Sequence, residues 1–64
     1  MQQRSLWTER EYAEYLRISL RKAQMDRVAG SGAPYLKIGK SVRYDPRVVD
    51  EWLREQTRHS TTER

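Results

Sequence analysis

The sequence predicts one small α+β domain with the order helix, helix, β-hairpin, helix. Three observations predict it. Helix start and stop signals bracket two short segments, Glu9 to Leu16 and Leu20 to Ala29. Apolar and polar residues alternate from Pro34 to Tyr44 around Gly39, which is the period of a strand pair. Asp45 and Pro46 then open a third helical pattern. At 64 residues the chain has room for a single domain, and a domain of that size buries only about 60% of the surface its unfolded chain exposes. An enzyme pocket with its own lid does not fit.

The first helix has a full start signal. Thr8 is its cap, Glu11 completes a Thr-x-x-Glu capping box, and Trp7 and Tyr12 have the spacing of a hydrophobic staple. Tyr12, Ala13 and Leu16 share the face turned to the core, while Glu9, Glu11 and Glu14 keep other positions wet. Arg17 and Ile18 leave space for no more than a tight turn before Ser19 caps the second helix, which Gly30 stops. Two helices this closely joined form a helix-turn-helix. At 100° per residue, Leu20, Ala23 and Arg27 fall on one side of the second helix, Arg21, Gln24, Met25 and Val28 on the other, and Lys22 between them. Its apolar stripe is weak, so its polar groups are expected to serve a partner. Arg21 and Lys22 stand in the first turn, where the helix dipole disfavours cations and an anionic ligand would compensate. Asp26 is placed to pair with Lys22 one turn earlier.

In the hairpin, a three-residue loop of Gly39, Lys40 and Ser41 would set Ile38 opposite Val42 and Leu36 opposite Tyr44, with all four on one face. Lys37 would then face Arg43, a like-charge pair that costs a few tenths to about 1 kcal/mol unless phosphate lies over it. The third helix begins at Pro46 with Asp45 as cap and Tyr44 and Val49 as staple, presents Val49, Trp52 and Leu53 to the core, and is expected to fade after Glu55. Trp52 is expected to be structural. The domain therefore spans residues 6–55, with 1–5 and 56–64 as flexible termini.

Charge is segregated along the chain. Between Arg17 and Tyr44 stand seven basic residues (Arg17, Arg21, Lys22, Arg27, Lys37, Lys40 and Arg43) against Asp26 alone, while each flank carries one more acidic than basic residue. Confinement of cations to one segment is the electrostatic pattern of a nucleic-acid-binding surface, against which the bland alternative is a solvated basic face. Cysteine is absent, so neither a disulfide framework nor a thiolate metal site is available, and the lone His59 lies in a polar tail. No nucleophile stands with a base, no metal cluster and no phosphate-cradling loop is evident. No enzyme activity, cofactor or metal is expected. No run approaches the roughly 18 apolar residues of a membrane span, and the N-terminus lacks a signal-peptide apolar region, so a cytoplasmic location in a reducing compartment is expected.

Leu6, Thr8, Glu11, Ala13, Glu14, Tyr15, Leu16, Ile18, Ser19 and Arg21, followed by Gly30, Pro34, Tyr35, Lys37, Ile38, Gly39, Val42, Arg43 and Tyr44, and then Trp52 and Leu53, form an ordered set from Leu6 to Leu53. In this set the chain resembles the excisionase family, also called recombination directionality factors: small winged helix-turn-helix proteins related to MerR-like and AlpA-type DNA-binding domains. The resemblance implies that the second helix enters the major groove and the hairpin, the wing, follows the adjacent backbone or minor groove. Carried onto this chain, it implies DNA contacts from Ser19, Arg21, Lys22 and Gln24 on the helix and from Lys37, Lys40 and Arg43 on the wing. Met25, Arg27 and Ser41 complete the expected DNA-binding set. Lys22 stands where the family commonly has Thr, and Asp26 where it commonly has a buried Trp.

The function expected is that of an architectural DNA-binding protein that shapes attachment-site DNA so that an integrase or recombinase excises a mobile element. A transcriptional regulator of prophage or mobile-element genes is the alternative in the same class. An RNA-binding or protein-interaction module is the alternative from another class. Absence of an effector or dimerisation domain after Glu55 favours an architectural factor over a ligand-responsive regulator, while excision and transcription rest on the same contacts. The expected partners are double-stranded DNA, a recombinase, and further copies of the chain, which is a monomer when free and a cooperative multimer on DNA.

Overall fold

The computed structural model describes residues 5–61, with side chains through residue 57. His59 and most of the ends expected to be flexible, residues 1–4 and 58–64, lie outside the described side chains. In order, the elements are β1 (Trp7–Thr8), α1 (Glu9–Leu16), α2 (Leu20–Ala29), β2 (Leu36–Ile38), β3 (Ser41–Tyr44) and α3 (Pro46–Thr61). The three strands form one antiparallel sheet in the order β1-β3-β2. The domain is thus a small α+β fold of three helices and a three-stranded sheet among the described residues.

Local signals place α1 and α2 where the sequence predicts them. Both halves of the capping box form: the Glu11 N–H donates to Thr8 Oγ1 at 3.1 Å and the Thr8 N–H to Glu11 Oε1 at 2.9 Å. Both helices also close with the same device, the paired backbone bonds of a Schellman turn. At the end of α1, Arg17 and Ile18 donate to the carbonyls of Glu14 and Ala13; at the end of α2, Gly30 and Ser31 donate to those of Arg27 and Asp26. The left-handed residue is Gly30 in one (φ 76°) but Arg17 in the other (φ 60°).

The hairpin departs from expectation by one residue. Leu36 pairs with Arg43, Lys37 with Val42 and Ile38 with Ser41, across a two-residue turn of Gly39 and Lys40. The physical reason is the position of the glycine. A three-residue loop needs its left-handed residue at the end, where Ser41 stands, whereas a type II′ turn needs a positive φ at its first central residue. Gly39 has φ 65°, and the one described non-glycine with positive φ is Arg17. A one-residue shift exchanges the faces of a strand. Leu36 and Ile38 therefore face outward, 43% and 55% exposed, while Val42 and Tyr44 turn inward. The expected Lys37–Arg43 repulsion does not arise, because those side chains lie on opposite faces of the sheet.

Three further differences lie at Trp7–Thr8 and at the end of the third helix. Trp7 and Thr8 form a strand that was not expected, pairing with Tyr44 and Arg43 respectively. The ring contact of Trp7 is with Tyr15 (centroids 4.6 Å apart), one turn beyond the expected staple partner Tyr12. Helix α3 continues past Glu55 to Thr61. No proline or glycine follows Pro46 to break it, and Thr57 Oγ1 turns back on the Leu53 carbonyl at 3.0 Å, where it leaves the helical backbone intact.

Tyr12, Ala13, Ala23, Ala33, Tyr44 and Val49 form the buried centre, and Trp7, Leu16, Ile18, Val42, Trp52 and Leu53 pack around it. Tyr12 and Tyr44 stack face to face, centroids 3.9 Å apart. Burying two phenols requires partners for both hydroxyls. That of Tyr12 accepts the Ala33 N–H at 3.3 Å, and that of Tyr44 donates to Glu9 Oε2 at 3.2 Å. Glu9 also accepts from Arg27 Nε at 2.7 Å and Nη2 at 3.3 Å, so one carboxylate ties α1 to α2 and to β3. Tyr15 Oη donates to Asp50 Oδ1 at 2.8 Å and links α1 to α3. Among the described residues no helix is long and apolar enough to cross a membrane.

Candidate nucleic-acid interface

Helix α2 owes its orientation to one buried side chain and one ion pair. Ala23 is 1% exposed against the core. On the same side, four residues on, Arg27 meets Glu9. The opposite side is left to solvent: Arg21, Gln24, Met25 and Val28 are all exposed, at positions i, i+3, i+4 and i+7 of one helical face. Ser19 Oγ accepts the Lys22 N–H at 3.0 Å and so fixes the start of the helix from which Arg21 projects. The site expected on α2 is thereby divided. Ser19, Arg21, Lys22, Gln24 and Met25 lie on the exposed sides, whereas Arg27 points inward and holds the fold together. The guanidinium of Arg27 also lies 5.9 Å above the Tyr35 ring. Its hydrogen bond to Glu9 holds it above the usual arginine range against the opposing effect of burial.

The seven cations of the basic segment therefore differ in what they have left to offer. Lys22 pairs with Asp26 at 3.2 Å, as the spacing predicts. That pair is open to water and contributes a few tenths of a kcal/mol. Arg43, half-buried on β3 between Thr8 and Leu36, donates from Nη1 to the Val42 carbonyl at 2.8 Å. The side chains of Arg17, Arg21, Lys37 and Lys40 make no hydrogen bond or ion pair with any described residue and are exposed. Two of the four stand at the entrance to α2, one in the turn and one in the first helical turn. The other two belong to the hairpin, Lys40 at its tip and Lys37 on its free edge. Ser41, also exposed, starts β3 beside Ile38.

Arg17 did not stand among the expected contacts. Its signal was in the sequence all the same: no glycine occurs between Leu16 and Ser19, so any tight reversal there must put an ordinary side chain at the left-handed position. The outward apolar residues Leu36 and Ile38 were also missed, because they follow from the hairpin register.

Chemically, the exposed set consists of guanidinium, ammonium and amide donors, which match phosphate oxygens and the acceptor-rich edges of bases. Among the described residues no group of three or more histidine, aspartate or glutamate side chains is placed to hold a metal ion. The chain matches no family model, no curated protein and no solved structure.

Proposed function

We propose that the protein is a non-enzymatic winged helix-turn-helix protein of the excisionase type that binds duplex DNA, with α2 in the major groove and the β2–β3 hairpin as the wing along the neighbouring backbone. The observation that carries this reading is the division of the cations. Lys22 and Arg27 are neutralised by acidic partners, while Arg17, Arg21, Lys37 and Lys40 remain exposed at the start of α2 and on the hairpin. Arg21 in particular occupies a first helical turn with no acidic residue in it, a placement that costs stability and that a phosphate or a guanine edge would offset. The role is architectural: copies bound side by side bend attachment-site DNA into a form that a recombinase can act on.

Fluorescence anisotropy with duplex DNA across a salt series tests the reading. Phosphate contacts from Arg17, Lys37 and Lys40, with Arg21 on a base edge, give a slope of log affinity against log salt of about −3. A slope near zero, or tighter binding to single-stranded RNA than to duplex DNA, would overturn it.

A further inference from the structure

We infer that the outward face of α2 reads thymine 5-methyl groups in the major groove, with Met25 and Val28 as the contacting side chains; this rests on the duplex-DNA reading above and names the base chemistry it recognises. Helix α2 has apolar residues on two opposite sides. Ala23 is turned to the core, while Met25 and Val28, 59% and 79% exposed, are turned away from it. Leaving two large apolar side chains in water on a helix of ten residues brings the fold no benefit. They border a shallow depression lined by Gln24, Met25, Val28 and Ala29. Arg21 and Gln24 share the same helical face, so the depression opens beside two side chains able to hydrogen-bond base edges.

That mixture fits the major-groove edge of an A·T pair. Adenine presents an N7 acceptor and an N6 donor, which one glutamine amide satisfies together, and the paired thymine presents a methyl group. The methyl is the one apolar group that unmodified base pairs expose in this groove. A second copy of the chain is the competing occupant, and the face suits it poorly. Specific protein interfaces engage roughly 20–30 residues a side, and here two large side chains are on offer.

The experiment starts from a duplex selected from a random library by the full chain. Each thymine of the selected site is then replaced in turn by deoxyuridine, which deletes the methyl and leaves every hydrogen-bonding group in place. Loss of about fourfold in affinity per contacted methyl is expected. Met25→Ala and Val28→Ala should bind the thymine duplex more weakly and show no further loss on the corresponding uracil duplex, while Arg21→Ala keeps the discrimination. Both apolar residues are exposed, and unchanged thermal melting confirms that each variant is folded. Equal affinity of the full chain for thymine and uracil duplexes overturns this inference and leaves duplex-DNA binding standing. So does an equal loss on both duplexes from Met25→Ala and Val28→Ala, which would assign the patch to another occupant. Failure to select any duplex removes both readings.

Discussion

Arg17 is held at φ 60°, where a side chain crowds the following carbonyl and glycine does not. Gly30 performs the same closure at the end of α2 without that cost. Arg17→Gly is therefore expected to stabilise the fold by up to about 1 kcal/mol, part of it offset by loss of a cation beside the C-terminus of α1. In a domain of this size that is a rise in Tm of roughly 4–8 °C at most. If Arg17 also meets phosphate, the same variant lowers the salt slope by about one while melting higher. Thermal melting and salt titration of one variant read the two effects apart. Glu9 acts in the opposite sense. It is 12% exposed and accepts from both Arg27 and Tyr44, so Glu9→Ala leaves a guanidinium and a phenol without their acceptor. The expected loss is about 2–3 kcal/mol in urea denaturation. The Tyr44 hydroxyl is held well above its ordinary pKa of 10.0 by burial first, then by the charge of Glu9 and its hydrogen bond to it. A folded-state pKa raised in this way contributes stability that is complete below about pH 10 and is lost as pH climbs towards the folded value. Denaturation midpoints should hold steady from pH 8 to 10 and fall above it, with a shallower fall in Tyr44→Phe.

At the scale of the element, α2 and the hairpin should fail in different ways. Arg21 projects from a capped, well-fixed helix start and is free to read a base edge. Arg21→Ala should cost about 1–3 kcal/mol on a selected duplex and much less on a scrambled one. Lys37 and Lys40 sit on the edge and tip of the hairpin, the proposed wing, where the reading above has them meet DNA backbone. Lys37→Ala and Lys40→Ala should weaken selected and scrambled duplexes about equally. Competition binding distinguishes the two patterns, and a uniform loss from Arg21→Ala would make it a backbone contact. The turn itself has its own check. Gly39 carries a positive φ with open space where a side chain would go, so Gly39→Ala strains the backbone without a clash. The expected cost is about 1 kcal/mol in stability.

For the whole molecule, the balance between small recognition surface and small core decides the assembly. One helix of ten residues and one short hairpin cover only a few base pairs, too little to mark a unique site. No heptad pattern is present among the described residues, and the outward apolar patch around Tyr35, Leu36 and Ile38 is small beside what a dimer stable in solution buries. The free chain should therefore sediment as a monomer at micromolar concentration, and copies should fill tandem sites cooperatively through their high local concentration on the duplex. Gel shifts on one, two and three adjacent sites check this, and independent filling would show the assembly to be wrong. Repeated phosphate contacts along one side should bend the duplex, visible as position-dependent mobility in circularly permuted fragments.

Some of this molecule was legible residue by residue. Thr8 with Glu11, Ser19, Gly30 and the Asp45–Pro46 pair mark helix ends through bonds made within a few positions of chain, and such bonds need no knowledge of the rest of the fold. The Lys22–Asp26 pair follows from helical periodicity in the same way, and so does the grouping of Arg27 with Leu20 and Ala23, although Arg27 was expected among the DNA contacts. What tertiary structure decided was every relation between distant segments. Trp7 and Thr8 become a strand because Tyr44 and Arg43 lie beside them, and no periodicity can show in two residues. The hairpin register turned on whether Gly39 opens a two-residue turn or begins a three-residue loop. Alternation of period two fits both, and the choice turns Leu36 and Ile38 together from the expected core face to the outward one. The neutralisation of Arg27 by a carboxylate eighteen residues away was beyond local reasoning, because charge in a sequence has a position but no partner until the chain folds. Local hydrogen bonding thus wrote the helices into the sequence, while tertiary packing brought Glu9 to Tyr44 and Arg27 and so turned that one cation inward.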